Sequence, residues 1–159
     1  MVRAGSYTGF VTVGLAALHD RIRRVLAGGP PLRLAILFGS GARGELRADS
    51  DVDVGIIPRD PDLPLVAELD LQVRLERACE RGVDLVRLDR ASTLLRWEAA
   101  RAAVLVLADP PYEFPRFVAS AAIEHADLMT LLAPAATRFR QRLIERDRSS
   151  SATAGRASP

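Results

Sequence analysis

Leu37-Phe-Gly-Ser-Gly-Ala-Arg-Gly-Glu-Leu-Arg-Ala-Asp-Ser-Asp-Val-Asp-Val-Gly-Ile56 is the stretch on which the fold turns. The apolar run 34–38 ends at Gly39, the pattern of a buried strand that delivers Gly39 and Ser40 to its carboxyl end. Glycine at that point lets the backbone approach a ligand closely, and the residues after it can open a short helix. Free N–H groups and the positive end of a helix dipole would then face a phosphate, with the Ser40 hydroxyl as a further donor. Ten residues beyond Ser40 come Asp51 and Asp53, heading a second apolar run that stops at Pro58. Residues i and i+2 of a strand share a side, so both carboxylates leave one face while Val52, Val54 and Ile56 can point to a core.

Outward from this stretch, apolar spacing predicts a first helix over 11–27, closed by Gly28, Gly29, Pro30 and Pro31. Downstream, a turn at 60–64 leads to a helix over 65–79, which Gly82 is expected to end. Residues 83–88 alternate as a third strand, and 89–92 offer a cap for a helix to about Arg101. A fourth strand is expected over 103–107. After Asp109-Pro-Pro the chain reads as mostly helical over 114–146, interrupted near Pro134. Helices and strands alternate, so the fold class is α/β (α+β). The expected organisation is a loose leader at 1–10, one domain over 11–146 and a disordered tail at 147–159, where no large apolar side chain occurs.

Composition narrows the function classes. The chain has 159 residues, 48% hydrophobic and 26% charged, with net charge +2, which suits one globular domain and excludes disorder throughout. Its longest apolar runs are far short of the ~20 residues of a membrane-spanning helix. No basic start with a clean apolar segment follows Met1, so no signal peptide is expected and a cytoplasmic address is. Cys79 is the lone cysteine, which excludes an intrachain disulfide and a cysteine-rich zinc module. All 22 basic residues are arginine, as codon usage in a GC-rich genome would produce. Without a like-charge block or a basic stripe interleaved with aromatics, direct nucleic-acid binding is not expected.

Two carboxylates held a few ångströms apart repel each other, and a divalent cation resolves the repulsion. Mg²⁺ takes oxygen ligands, is held by one or two carboxylates, and completes its shell with water and substrate phosphates. A phosphate-binding turn beside a hard-metal site suits phosphoryl or nucleotidyl transfer. A third carboxylate on a neighbouring strand would let two ions sit together, as a further metal ligand, and would help to activate an attacking hydroxyl. Asp84 is the candidate, being the only other acid inside an expected strand. Singly, Gly-Ser is a common turn, Asp-x-Asp a solvated strand end and Asp84 an edge charge. It is their combination that points to a site.

Gly39-Ser40, ten residues, then Asp51-x-Asp53 resembles the signature of the nucleotidyltransferase superfamily that includes DNA polymerase beta. Gly-Ser-x-Ala-Arg-Gly before Ser-Asp-x-Asp is similar to the minimal nucleotidyltransferases of bacteria and archaea. Val83-Asp-Leu-Val-Arg-Leu, a helix, then Val-Leu-Val-Leu-Ala-Asp resembles the MntA-type adenylyltransferase antitoxins, which are encoded beside HEPN-domain RNase toxins. The likeness covers roughly residues 32–146. It implies a small mixed sheet flanked by helices, with a C-terminal helical extension. It also implies transfer of AMP from ATP onto a tyrosine of a HEPN partner, silencing its RNase, in a hetero-oligomer. Carried onto this chain, Gly39 and Ser40 bind the triphosphate, Asp51 and Asp53 hold Mg²⁺, and Asp84 is the third acid. Arg43 contacts phosphate or simply covers the helix start. Two departures are Ala102 and Ala103, where many relatives have glycine, and a longer leader and first helix.

The remaining polar and aromatic residues take plainer roles. His19 and His125 lack metal-ligand spacing and are expected to be structural. Trp97, Tyr112 and Phe114 are expected to pack, and the arginines at 138, 140, 142, 146 and 148 to form a solvated helix face. Two rival functions stand beside the transferase: an antitoxin that neutralises by binding alone, and a small-molecule nucleotidyltransferase of the antibiotic-modifying kind.

Overall fold

A computed structural model describes residues 14–42 and 50–154 of the chain. Its elements are α1 (Leu15–Ala27), β1 (Leu32–Phe38), α2 (Gly39–Ala42), β2 (Val52–Pro58), α3 (Leu65–Cys79), β3 (Val83–Arg87), α4 (Thr93–Arg101), β4 (Val104–Ala108) and α5 (Glu113–Ala154). The strands form one mixed sheet in the order β3-β2-β1-β4. β1 is antiparallel to both β2 and β4, whereas β2 and β3 are parallel. A parallel pair needs a crossover connection, and α3 supplies it.

Both faces of the sheet are covered, which explains why β1 and β2 read as continuous apolar runs. On one face Ala35, Leu37, Val52, Val54, Ile56 and Val83 pack against Leu18, Ile22 and Leu26 of α1 and Leu71, Leu75 and Cys79 of α3. On the other, Leu34, Ile36, Phe38 and Ile57 meet Leu88, Ala99 and Ala100, and Phe117 and Ala121 of α5. Val52, Val54 and Ile56 thus face a core, as their alternation with Asp51 and Asp53 requires.

The element order matches the sequence expectation, with two corrections to the last helix and one to the residue that ends α3, whose bounds 65–79 are as expected. α3 is not stopped by Gly82. Glu80 takes the left-handed conformation (φ 57°) directly after Cys79, and its N–H bonds the Glu76 carbonyl. Pro134 does not interrupt the last helix, which runs through it. Its missing N–H frees a carbonyl on an exposed stretch where water can take over, and the Thr130 and Thr137 hydroxyls donate to the carbonyls of Ala126 and Ala133. α5 also continues to Ala154, so residues 147–154 of the expected disordered tail are helical. The run 147–154 mixes one arginine and two alanines with weaker helix formers, and Gly155 is the first strong breaker after it. The expected leader at 1–10, residues 11–13 of the expected first helix, and 155–159 lie outside the described residues.

The two histidines are structural. His19 Nε2 lies 2.9 Å from the Leu105 carbonyl oxygen, tying α1 to β4. His125 stacks on Trp97 with ring centroids 4.8 Å apart, tying α5 to α4. Phe114 packs against the α5-side core, but Tyr112 does not pack and is exposed. Arg138, Arg140 and Arg142 are exposed, as a solvated face requires.

Candidate active site

β1 ends at Phe38 and α2 begins at the next residue, so the chain must turn within one residue. Gly39 makes that turn at φ +65°, a conformation that an L side chain adopts only at a cost. The space its missing side chain leaves is taken by Asp53. A Cβ built on Gly39 would overlap Asp53 Oδ2 and stand 2.9 Å from its Cγ. Antiparallel pairing sets Phe38 opposite Asp53, bringing the second acid of the Asp-x-Asp pair beside the Gly39–Ser40 turn.

The parallel register extends this cluster to the next strand. Val52 pairs with Val83 and Asp53 with Asp84, so Asp53 and Asp84 are lateral neighbours on one face, their backbones about 4.8 Å apart. Asp51 stands just before β2. The Val52 N–H donates to the Gly82 carbonyl at 3.0 Å, and the Asp51 carboxylate lies over Gly82, where a Cβ would be 2.9 Å from its Cγ. Asp51 and Asp84 are exposed, and Asp53 and Ser40 half-buried.

The fold therefore gathers Gly39, Ser40, Asp51, Asp53 and Asp84 at one end of the sheet: the carboxyl end of β1 and the amino ends of β2 and β3. Among the described residues, no three acidic, histidine or cysteine side chains stand close enough together to hold one ion. Asp53 and Asp84 share a face of the sheet, and the Asp51 carboxylate stands over Gly82. Arg43 lies outside the described residues. Gly82 is the positioning residue that sequence reasoning missed, because a glycine after a helix reads as its terminator. Its place directly before Val83-Asp84, beside the strand carrying the other two acids, was the available signal.

At the far end of β3 the charges behave differently. Arg87, largely buried, donates to Asp89 through Nε and Nη2 at 2.9 and 2.8 Å, to the Pro61 carbonyl at 3.0 Å, and to Glu68. The Asp89 hydrogen bonds, with those charges, hold the Arg87 guanidinium well above its usual range despite burial. Burial alone would raise the Asp89 carboxyl, but the Arg87 hydrogen bonds and charge overcome it and hold it below the ordinary value. This network fastens β3 to α3 and the 60–64 turn and takes no part in the acidic cluster.

A Gly-Ser turn at the end of a buried strand, with acids on the next two strands, is an arrangement that can set a phosphate beside a cation. The profile described as "Polymerase beta, Nucleotidyltransferase" matches residues 20–110, and the chain belongs to that family. Among individual proteins it is similar to the protein adenylyltransferase MntA of Shewanella oneidensis, with 39% identity over 66 residues. That match covers 42% of this chain and 47% of the relative, so the chain spans about half the length of the curated protein it matches. Its fold superposes on a chain from a toxin–antitoxin complex solved with AMP-PNP, with a TM-score of 0.67 and 24% identity over 77% of this chain and 98% of that one. A second superposition is on a chain from the tri-AMPylated Shewanella oneidensis HEPN toxin in complex with an MNT antitoxin. It has a TM-score of 0.64 and 22% identity over 79% of this chain and 98% of that one. At these identities the superpositions carry the fold. No helix among the described residues is long and apolar enough to cross a membrane.

Proposed function

We propose that this chain is an adenylyltransferase that uses Mg²⁺ to move AMP from ATP onto a tyrosine hydroxyl of a partner HEPN-domain protein, acting as its antitoxin in a cytoplasmic hetero-oligomer. The observation that carries this reading is the contact between Gly39 and the Asp53 carboxylate, with Asp84 as the neighbour of Asp53 across the parallel register. It sets a phosphate-binding turn directly against a pair of acids. Support for the acceptor comes from the relatives: one is named as a protein adenylyltransferase, and another was solved with an AMPylated HEPN toxin.

The donor set suits Mg²⁺, since carboxylate oxygens are its protein ligands and the glycine cradles hold two of them in place. Asp51 and Asp53 would hold the ion, with Asp84 as the third acid. When bound, the ion neutralises charge on the phosphate oxygens. The chain's own groups do the positioning. Backbone N–H groups at Gly39 and Ser40 and the Ser40 hydroxyl bind the triphosphate. Asp84, exposed at the strand end, or the ion it would help to hold, lowers the barrier to deprotonating the acceptor. The acceptor oxygen forms a bond to the α-phosphorus as the bond to the bridging oxygen breaks, and pyrophosphate leaves. Arg43 remains the proposed phosphate contact beyond the turn.

The test is incubation of the full chain with labelled ATP, Mg²⁺ and the HEPN protein encoded beside it, followed by mapping of the label. Label on a partner tyrosine, lost in Asp84→Asn and in the Asp51→Ala/Asp53→Ala double variant while both still fold, supports the reading. Label confined to a small molecule, or neutralisation of the toxin by the double variant, overturns it.

A further inference from the structure

The last helix carries its packed face past the elements it packs against. Along α5 the residues Phe114, Val118, Ala121, His125 and Leu128 recur alternately four and three positions apart. That is the spacing of a helix seam made to lie against another element. Phe114, Val118 and Ala121 pack on the α5-side core, and His125 stacks on Trp97 of α4. Among the described residues, the hydrogen-bond and ring contacts of α5 with the other elements end at Glu124 and His125. Leu132, Ala135 and Phe139 continue the same spacing, yet all three are exposed, Leu132 by 47% and Phe139 by 64%. The helix runs on from Leu128 to Ala154, about 39 Å at 1.5 Å per residue.

A seam of leucine and phenylalanine facing water is unfavourable, and a helical arm draws most of its stability from packing an apolar face. The far side of the arm is polar. Thr130 and Thr137, about half a turn from the seam, donate to carbonyls of their own helix. Charge decides what fits the bare seam. Residues 128–142 hold Arg138, Arg140 and Arg142 and no acid, and all three arginines are exposed. Arg138 and Arg140 flank Phe139, one on each side of the seam. A second copy laid on this stretch would bring the arginines of both chains together with no carboxylate between them, and like charges repel across such a contact. A foreign helix with an apolar seam and acidic flanks meets both the apolar stripe and the charge.

We propose that residues 128–142 of α5 are a docking arm for the partner protein. A partner helix lies along Leu128, Leu132, Ala135 and Phe139, and its flanking carboxylates pair with Arg138, Arg140 and Arg142, the residue type that recognises carboxylates at interfaces. That the partner is the HEPN-domain protein rests on the function proposed above, whereas the docking surface is set by the seam and its charge.

The experiment is calorimetric titration of the full chain into the HEPN protein encoded beside it, without ATP, so that docking is read apart from transfer. A saturable complex is expected, weakened at least ~10-fold in Leu132→Gln/Phe139→Gln, which keeps the helix and removes the apolar contact. Both positions are about half exposed or more, so this variant is expected to fold. Arg138→Gln/Arg140→Gln/Arg142→Gln is expected to weaken the complex by a similar factor and to flatten its salt dependence. Ile123→Gln, at an exposed apolar residue on the other side of α5, is expected to bind as the wild type does. A complex lost in the Leu132/Phe139 variant, with no AMP transfer by the wild type, supports the arm while overturning the proposed function. Undiminished transfer to a HEPN tyrosine by that variant overturns the arm and leaves the function. Self-association of the chain through Leu132 and Phe139 would make a second copy the occupant and overturn the proposal. Wild-type binding by either arm variant, or no complex at all, overturns it as well.

Discussion

Gly39→Ala isolates the contact on which the active-site assignment rests. Two costs follow from the structure. The first is conformational: at φ +65° an added Cβ costs about 1–2 kcal/mol. For a chain of this length that corresponds to a fall of roughly 2–8 °C in Tm. The second is steric. The new methyl would stand 2.9 Å from Asp53 Cγ and overlap Oδ2, whereas carbon atoms rest at about 3.5–4.0 Å, so the carboxylate must move by roughly 1 Å. A misplacement of that size in a catalytic group costs about 100-fold in rate. Thermal denaturation reads both costs on stability, and initial rates of AMP transfer read the displacement of the carboxylate. The cycle with Asp53→Ala separates them further. Once the carboxylate is gone the clash is gone, so Gly39→Ala in that background is expected to retain only the backbone cost. A Gly39→Ala chain that loses stability but transfers AMP at the wild-type rate would refute the assignment of Asp53 to the reacting centre. Equal stability losses in both backgrounds would refute the steric part.

Gly82→Ala is expected to displace the Asp51 carboxylate in the same way without a left-handed backbone cost. It should lower AMP transfer about 10–100-fold while shifting Tm by less than Gly39→Ala does. Arg87→Met removes the shared partner of Glu68 and Asp89, all three at most about a fifth exposed, and leaves two acids uncompensated. A loss of roughly 3 kcal/mol, or about 6–12 °C in Tm, is expected in a denaturation curve. Asp89 is held below its ordinary value of 3.8, so the stability it contributes is fully present above about pH 4 and is lost as the pH falls through its depressed folded value. Asp89→Asn should therefore melt below the wild type at pH 7, with the difference closing below about pH 4. A gap that stayed constant down to pH 2 would count against the pair.

The fold was legible in the sequence wherever burial is two-sided. β1 and β2 carry near-continuous apolar runs because both of their faces are covered, and their ends were legible to within two residues. The helices that were misjudged turn on single residues whose effect depends on surroundings. Glu80 can hold the left-handed cap although it has a side chain, which released Gly82 for another task. Pro134 is tolerated because the helix around it is exposed, a fact that no local pattern contains. In the site, the spacing from Ser40 to Asp51 and Asp53 was readable because strand periodicity fixes which side chains share a face. That Asp53 and not Asp51 lies against Gly39, and that Asp84 is the lateral neighbour of Asp53, depends on register across three strands. Register is set by packing, not by residue spacing along one strand.

The distribution of arginine partners separates acids that hold the fold from acids free to act. In a chain whose basic residues are all arginine, every structural acid can be matched by a planar, permanently charged fork. At the strand ends remote from the acidic cluster this matching occurs: Asp89 with Arg87, Asp109 with Arg59. Asp51 and Asp84 have no arginine ion pair among the described residues, although both lie at strand ends of the same sheet. Leaving like charges side by side is unfavourable in isolation, and an edge acid facing solvent could have been replaced without loss. The cost is reduced by exposure, which keeps both carboxylates hydrated, and by the glycine cradle that fixes Asp51 without neutralising it. An arginine there would stabilise the sheet and occupy the oxygens that a cation and a reacting hydroxyl require. Among the described residues the sheet is therefore tied by arginine ion pairs at one end, while Asp51 and Asp84 carry none at the other. The proposed chemistry takes place at that second end.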